Sequence, residues 1–489
     1  MTYRYIRRPW FALIPVVFAS VLAVGQGPVV TITSPRNNAQ TMSPVNFVAS
    51  AVTKGCPQGI SSMRIYSAPF VSAFTGGGHK INTYITLAPG TYNAVVQAWD
   101  YCGRVGKTNV TITATGYNQP AGFVYTINSD YNYEGTTSNI RAFTIVASNG
   151  ALAPTLQGPV TANVDPASIT SDKGGYRVYV GDYVSGDVFP YFVDRRYGWL
   201  SPVPGAPFAA HRSVSAVAVH PSGTLIFAAL SEYAPGDGIS VFQLQGDGSL
   251  QEAPGSPITT QTGIQAFAVD PGGKYLYAAD GSGYIEAFAI DTTSASLTAL
   301  PGAPYQVTNS NCVFPYLRDV IDPAGTYLYT ADATSSAIDG YRIDPNAGTL
   351  TQLANSPWSD MGQCQGVGIN DPLFDYSPKS IAMDGTGKFL YALNELDSNI
   401  AVFSVGSNGA LKFVKFAAQD SACFGAVRTD PTGNYLYSGA CTVGIPLNFG
   451  GLAGYSINHT TGDLTLLPTS PYTYPQPGRT AVQDVVVTP

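Results

Sequence analysis

Short runs in which apolar and polar residues alternate fill this chain almost from end to end, and Gly, Pro, Asn and Asp break the runs every 8–12 residues. Alternation with period two puts successive side chains on opposite faces of a strand, so the pattern predicts an all-β protein. Residues 28–116 hold six such runs: VVTIT (29–33), VNFVASAV (45–52), MRIY (63–66), YITL (84–87), YNAVVQAWD (92–100) and TNVTITA (108–114). Six or seven strands in so short a stretch predict a two-sheet sandwich.

Beyond residue 121 the alternation acquires a longer period. VHPSGTLIFAA (219–229), VDPGGKYLYAA (269–279), IDPAGTYLYTA (321–331), MDGTGKFLYAL (383–393) and TDPTGNYLYSG (429–439) are copies of one unit, and SDKGGYRVYVG (171–181) is a divergent sixth. Each copy is a strand end, a tight turn closed by Gly and a second strand. A third strand follows, as in ISVFQLQ (239–245), and then a fourth, as in GSLQEAPGSPI (248–258) or GDLTLLPTSPY (462–472). Four antiparallel strands at about 50-residue spacing make a propeller blade. The turns begin at Asp172, His220, Asp270, Asp322, Asp384 and Asp430, at intervals of 48, 50, 52, 62 and 46 residues.

A seventh inner strand is AVQDVVVTP (481–489), which has no partners after it. GFVYTIN (122–128), NIRAFTIV (139–146) and GALAPTLQGPV (150–160) are three strands lacking an inner one. The C-terminal strand is therefore expected to complete the first blade, giving a seven-bladed β-propeller over 121–489 with no open edge.

Composition then narrows the partners. Charged residues are only 11% of the chain, and the formal net charge is −7. The first 25 residues carry Arg4, Arg7 and Arg8 before the apolar run Trp10 to Val24, and they read as a signal peptide. Its removal takes the net charge to −10. An acidic, Lys-poor surface excludes nucleic acid and anionic lipid as partners, and no later segment is apolar enough to span a bilayer. A secreted, periplasmic or cell-surface location is expected. The six cysteines should then be paired. The expected bridges are Cys56–Cys102 in the sandwich, and Cys312–Cys364 and Cys423–Cys441 on one rim of the propeller. No cysteine or histidine spacing suits a metal, and no cofactor is expected.

Two resemblances sharpen these expectations. LAPGTYNAVVQAWD (87–100) resembles the penultimate strand of bacterial immunoglobulin-like domains, with Tyr92 at the place of their tyrosine corner. The D-P-x-G-x-x-L-Y repeat with its L-x-x-x-P-G-S-P-F-like fourth strand resembles the lactonase family of seven-bladed propellers. That family includes the propeller-type bacterial 6-phosphogluconolactonases and the fungal carboxy-muconate cycloisomerases. The resemblance implies a His about five residues before one Asp-Pro turn, with Arg and Glu converging from neighbouring blades. The matching positions here are Ala167, Ser215, Gln265, Leu317, Lys379, Gly425 and Gln483, none of them His.

Of the four histidines, His79 is in the sandwich, and His220 and His459 are in turns of the opposite rim. Only His211 approaches the expected face. The candidate ligand-binding set is thus His211, Arg212, Gln265, Arg318, Lys379 and Gln483. Acids including Asp182, Asp187, Asp280 and Asp332 gather in the second-to-third strand loops of the same rim, where they read as solvated loop residues. The reading this favours is an exported binding or surface-interaction protein taking a small molecule, glycan or protein on the rim. The alternative is a lactone or ester hydrolase with a rearranged site. Convergence of His211 with an Arg or Lys in one cleft would favour the hydrolase.

Overall fold

The computed structural model describes residues 27–69, 71–117, 120–130, 138–162, 165–231, 238–307, 317–332, 337–359, 379–394, 399–417, 425–439, 449–475 and 480–489. The expected signal peptide, the four propeller cysteines and the connection at 360–378 lie outside these residues. All regular structure described is β.

The N-terminal body is a sandwich of two sheets. One has the order Val29–Ser34, Val45–Val52, Lys80–Ile85; the other has the order Ala39–Ser43, Val105–Tyr117, Gly90–Asp100, Ile60–Ala68, Val71–Gly77. The alternation does what it predicts: every second residue of Val45–Val52 points into a core of Phe47, Met63, Ile65, Val96 and Ile112. The edge strands Ala39–Ser43 and Val71–Gly77 escape the sequence pattern because they are largely solvated. Cys56 and Cys102 are bonded, as expected, closing 46 residues of chain. The Tyr92 hydroxyl donates to Ala88 O at 2.9 Å, the bond a tyrosine corner makes.

Seven sheets follow, each with three strands and an outer edge that, except in blade 6, is split into two short segments pairing with the same third strand. Their inner strands are Thr480–Thr488 (blade 1), Pro166–Ser171 (blade 2), Val214–Val219 (blade 3), Ile264–Val269 (blade 4), Leu317–Ile321 (blade 5), Ser380–Met383 (blade 6) and Val427–Thr429 (blade 7). Thr480–Thr488 pairs antiparallel with Gly122–Asp130, so the two ends of the propeller sequence share blade 1.

The turn chemistry explains the repeat. In blades 4 to 7 the turn aspartate accepts backbone N–H bonds from the residues that restart the chain, as Asp270 does from Tyr275 N at 2.6 Å and Asp430 from Tyr435 N at 2.7 Å. The closing glycines, from Gly175 to Gly433, have φ of 65–75°, which a side chain would oppose.

The repeated tyrosine joins the blades. Tyr277 donates its hydroxyl to Gly348 O in the next blade at 2.7 Å, and Tyr329 does the same to Gly409 O at 2.7 Å. Tyr125 bonds Gly198 O at 3.2 Å and Tyr391 bonds Gly462 O at 3.4 Å. Tyr437 of blade 7 reaches Gly150 O of blade 1 at 2.7 Å, which fastens the closure. Two blades differ: blade 3 has Phe227, and the buried Tyr179 hydroxyl of blade 2 meets no acceptor among the described residues.

Candidate active site in the central channel

The inner strand is the edge of each blade, so its outward N–H groups need acceptors from the neighbouring blade or from water. In blades 1, 2 and 6 the residue four before the turn supplies one. Asp484 Oδ2 accepts Ile169 N at 3.2 Å, Ser168 Oγ accepts Val217 N at 3.2 Å, and Ser380 Oγ accepts Val427 N at 3.2 Å. Blades 3, 4 and 7 have Ala216, Ala266 and Ala426 there.

Arg428 joins this seam from blade 7. Its Nη2 lies 2.9 Å from Asp484 Oδ1, and its Nη1 donates to Ser380 Oγ at 3.1 Å and to its own blade's Val427 O at 2.9 Å. One side chain therefore ties the inner strands of blades 6, 7 and 1. In the adjoining blade 5 stands Asp319, half-buried, with Thr330 donating to its Oδ1 at 2.6 Å. The equivalent positions three before the turn are Ile169, Val217, Phe267, Ile381, Val427 and Val485. The fold asks for an apolar residue there, and blade 5 alone puts a carboxylate. These groups line a channel of about 610 Å³, inside the range of small-molecule sites.

The sequence-derived candidates fall elsewhere. His211 is exposed, and its Nε2 lies 2.8 Å from Glu252 Oε2 on the outer strand of blade 3. Its partner there is thus a carboxylate. Arg212 has its backbone against Gly186. Gln265 and Gln483 fall at β-bulges, and Ala167 and Ser215 occupy the same bulge in their blades. Lys379 precedes the blade 6 strand and donates its N–H to Leu393 O. Arg318 lies in the blade 5 strand opposite Ala331. Of these six, His211, Arg212, Gln265, Lys379 and Gln483 are not among the residues lining the channel.

The rim acids also differ from expectation. Asp182, Asp280 and Asp332 are buried at the ends of second strands. Asp182 accepts Val184 N and Ser185 N, and Asp280 accepts Ser282 N and Tyr284 N, so these carboxylates cap their own turns. Burial holds the Asp280 carboxyl above its ordinary range, against the pull of those N–H bonds. Burial likewise raises Glu286 in the same blade, and the nearby Asp280 charge adds to it while Gln261 N opposes it. His220 and His459 are turn ties: His220 Nε2 lies 2.7 Å from Gly273 O, and His459 spans Asp384 and Asn434 at 3.1 Å each.

Comparison with known proteins bears on this channel. Residues 195–315 match the family described as Lactonase, 7-bladed beta-propeller. This is a lactonase-like propeller. The lactonase-like fold recurs in a candidate 6-phosphogluconolactonase from Bacteroides uniformis, at 21% identity and TM-score 0.56, over 75% of this chain and 100% of that one. It recurs also in the periplasmic gluconolactonase PpgL of Pseudomonas aeruginosa, at 16% identity and TM-score 0.57, over 75% of this chain and 99% of that one. No curated protein matches the chain.

Proposed function

We propose that the propeller hydrolyses small, unphosphorylated lactones in an exported, oxidising compartment, working in the central channel rather than at the rim. The observation that carries this reading is the pair of charged residues, Asp319 and Arg428, placed on the channel wall of a lactonase-like propeller. The Cys56–Cys102 bridge supports the oxidising compartment. The lactonase-like fold moves the balance from the binding-protein reading to the hydrolase.

With no histidine available, a carboxylate must serve as base. Both Asp484 oxygens are engaged, by Arg428 and by two backbone N–H groups. Asp319 is therefore assigned as the base. It takes a proton from water as the water oxygen adds to the lactone carbonyl; Arg428 offsets the charge growing on the carbonyl oxygen. The ring C–O bond then breaks, the proton passes to the departing alkoxide, and a hydroxy acid is left. Asp384, Asp430 and Asp484 also line the channel against Arg428, so a phosphate dianion meets net repulsion.

The test is a hydrolysis screen of the full chain on glucono-δ-lactone, aliphatic γ- and δ-lactones and 6-phosphogluconolactone. Turnover of a neutral lactone should fall about a hundredfold in Asp319→Asn, the scale of a lost general base, with the urea midpoint little changed. Absence of turnover on every lactone, or turnover indifferent to Asp319→Asn, overturns the proposal and returns the channel to a binding role.

A further inference from the structure

The repeats show what each turn needs for folding, and blade 2 departs from them on the rim opposite the candidate ligand face. Between third and fourth strands the other blades read Ser-Asn-Gly-Ala (148–151), Gly-Asp-Gly-Ser (246–249), Ser-Ala-Ser (294–296), Asn-Ala-Gly-Thr (346–349), Ser-Asn-Gly-Ala (407–410) and Thr-Thr-Gly-Asp (460–463). Blade 2 has Arg195-Arg196-Tyr197-Gly198-Trp199. The turn between its first two strands departs as well: Tyr176 stands where blades 3 to 7 have Thr224, Lys274, Thr326, Lys388 and Asn434. The other blades make the same turns without these residues.

They form one surface. The Tyr197 and Trp199 rings stack with centroids 5.0 Å apart. The Arg196 guanidinium lies 5.2 Å from the Tyr197 centroid, and Arg195 lies 4.9 Å from that of Tyr176. Tyr176 is 58% exposed and Trp199 38%, which is unusual for residues of this size. Lys173 is exposed beside them, and Arg195 Nη2 also donates to Pro489 O at 3.3 Å. A hollow of about 330 Å³, lined by Arg195, Phe123 and Pro120, opens next to Arg195.

We propose that this rim of blade 2 binds an anionic, uronate-bearing polysaccharide. Arg196, over the Tyr197 ring, offers guanidinium N–H donors that can take a carboxylate through two parallel bonds. The exposed Tyr176 and Trp199 rings beside it suit the flat apolar face of a pyranose. A peptide ligand would look for a free strand edge or a row of deep pockets, and the surface is made of closed turns. The acidic remainder of the chain weakens attraction at long range, but in 0.15 M salt fields fade over about 8 Å, and the local cations decide.

The experiment is affinity electrophoresis of the full chain in native gels containing polygalacturonate, dextran or poly-glutamate at 0.15 M salt. The variants are Trp199→Ser and the double variant Arg195→Ser/Arg196→Asn, which install residues other blades carry in this turn, so the propeller folds. Polygalacturonate should retard the protein, dextran should not, and each variant should bind about tenfold more weakly, a change of about 1.4 kcal/mol. Lack of retardation by polygalacturonate overturns the proposal, as does unchanged retardation of the variants. Equal retardation by poly-glutamate also overturns it, since an acidic protein segment would then satisfy the surface.

Discussion

Removing one hydroxyl at the closure should weaken the whole ring. Tyr437 is fully buried, and its hydroxyl donates to Gly150 O at 2.7 Å across the seam between blades 7 and 1. Tyr437→Phe keeps the ring and its packing but leaves a buried carbonyl without that donor, a loss of about 1–3 kcal/mol. The protein supplies its own control. Tyr179 occupies the same place in blade 2, and its buried hydroxyl has no partner among the described residues. Tyr179→Phe removes a polar group that gains nothing by being buried, so it should be neutral or stabilise by up to about 1 kcal/mol. Phe227 already fills this position in blade 3. With a urea dependence of about 3 kcal/mol/M for a chain this long, Tyr437→Phe should lower the unfolding midpoint by about 0.5 M, and Tyr179→Phe should leave or raise it. The assay is urea unfolding followed by far-ultraviolet circular dichroism. Equal shifts in both variants would show that the hydroxyl-to-carbonyl bond is not what joins the blades.

Two further outcomes follow from the same core. Deleting residues 480–489 should abolish cooperative unfolding, because Val482, Val485 and Val487 are buried in blade 1 at about 1.5–3 kcal/mol each; a truncated chain with unchanged melting would refute the closure. Burial pushes the phenols of Tyr191, Tyr455 and Tyr472 up to about 12 and raises Tyr277 and Tyr437 as well. Unfolded phenols ionise near pH 10, so the stability is whole below that pH and is lost as pH rises toward the folded values. Phenolate absorbance at 295 nm should therefore rise in one step with loss of the fold, and a gradual rise with the fold intact would contradict the burial.

What the sequence made legible is what repeats locally. The Asp-Pro-x-Gly turns, the strand alternation and the missing partners at both ends of the propeller lead directly to seven blades and a shared first one, because each needs only neighbouring residues to be read. The tyrosine latch was in plain view as the Leu-Tyr of every copy, yet its acceptor lies 71–80 residues later in the following blades, a distance at which alternation carries no signal. The rim acids misled for the opposite reason. Asp182 and Asp280 look like loop residues by position, but each accepts N–H groups from the two to four residues that follow, and that local bonding draws it inward.

The site is where counting along the strand went astray. Five residues before the turn is the right place to look for the start of an inner strand, but in four blades it is the bulged residue, Ala167, Ser215, Gln265 or Gln483. A bulge takes its residue out of the ladder and re-aims it, so a comparison drawn at that offset samples side chains that the channel does not use. Aligning the copies on the turn and asking where an apolar position turns charged would have found Asp319 and Arg428 without any structure. The same comparison on the other rim isolates Arg195, Arg196 and Trp199. In a propeller every blade must satisfy the same packing, so six blades define what folding requires of the seventh. Residues that break that agreement fall in this chain in two separate places: the wall of the central channel and a cationic, aromatic surface at blade 2.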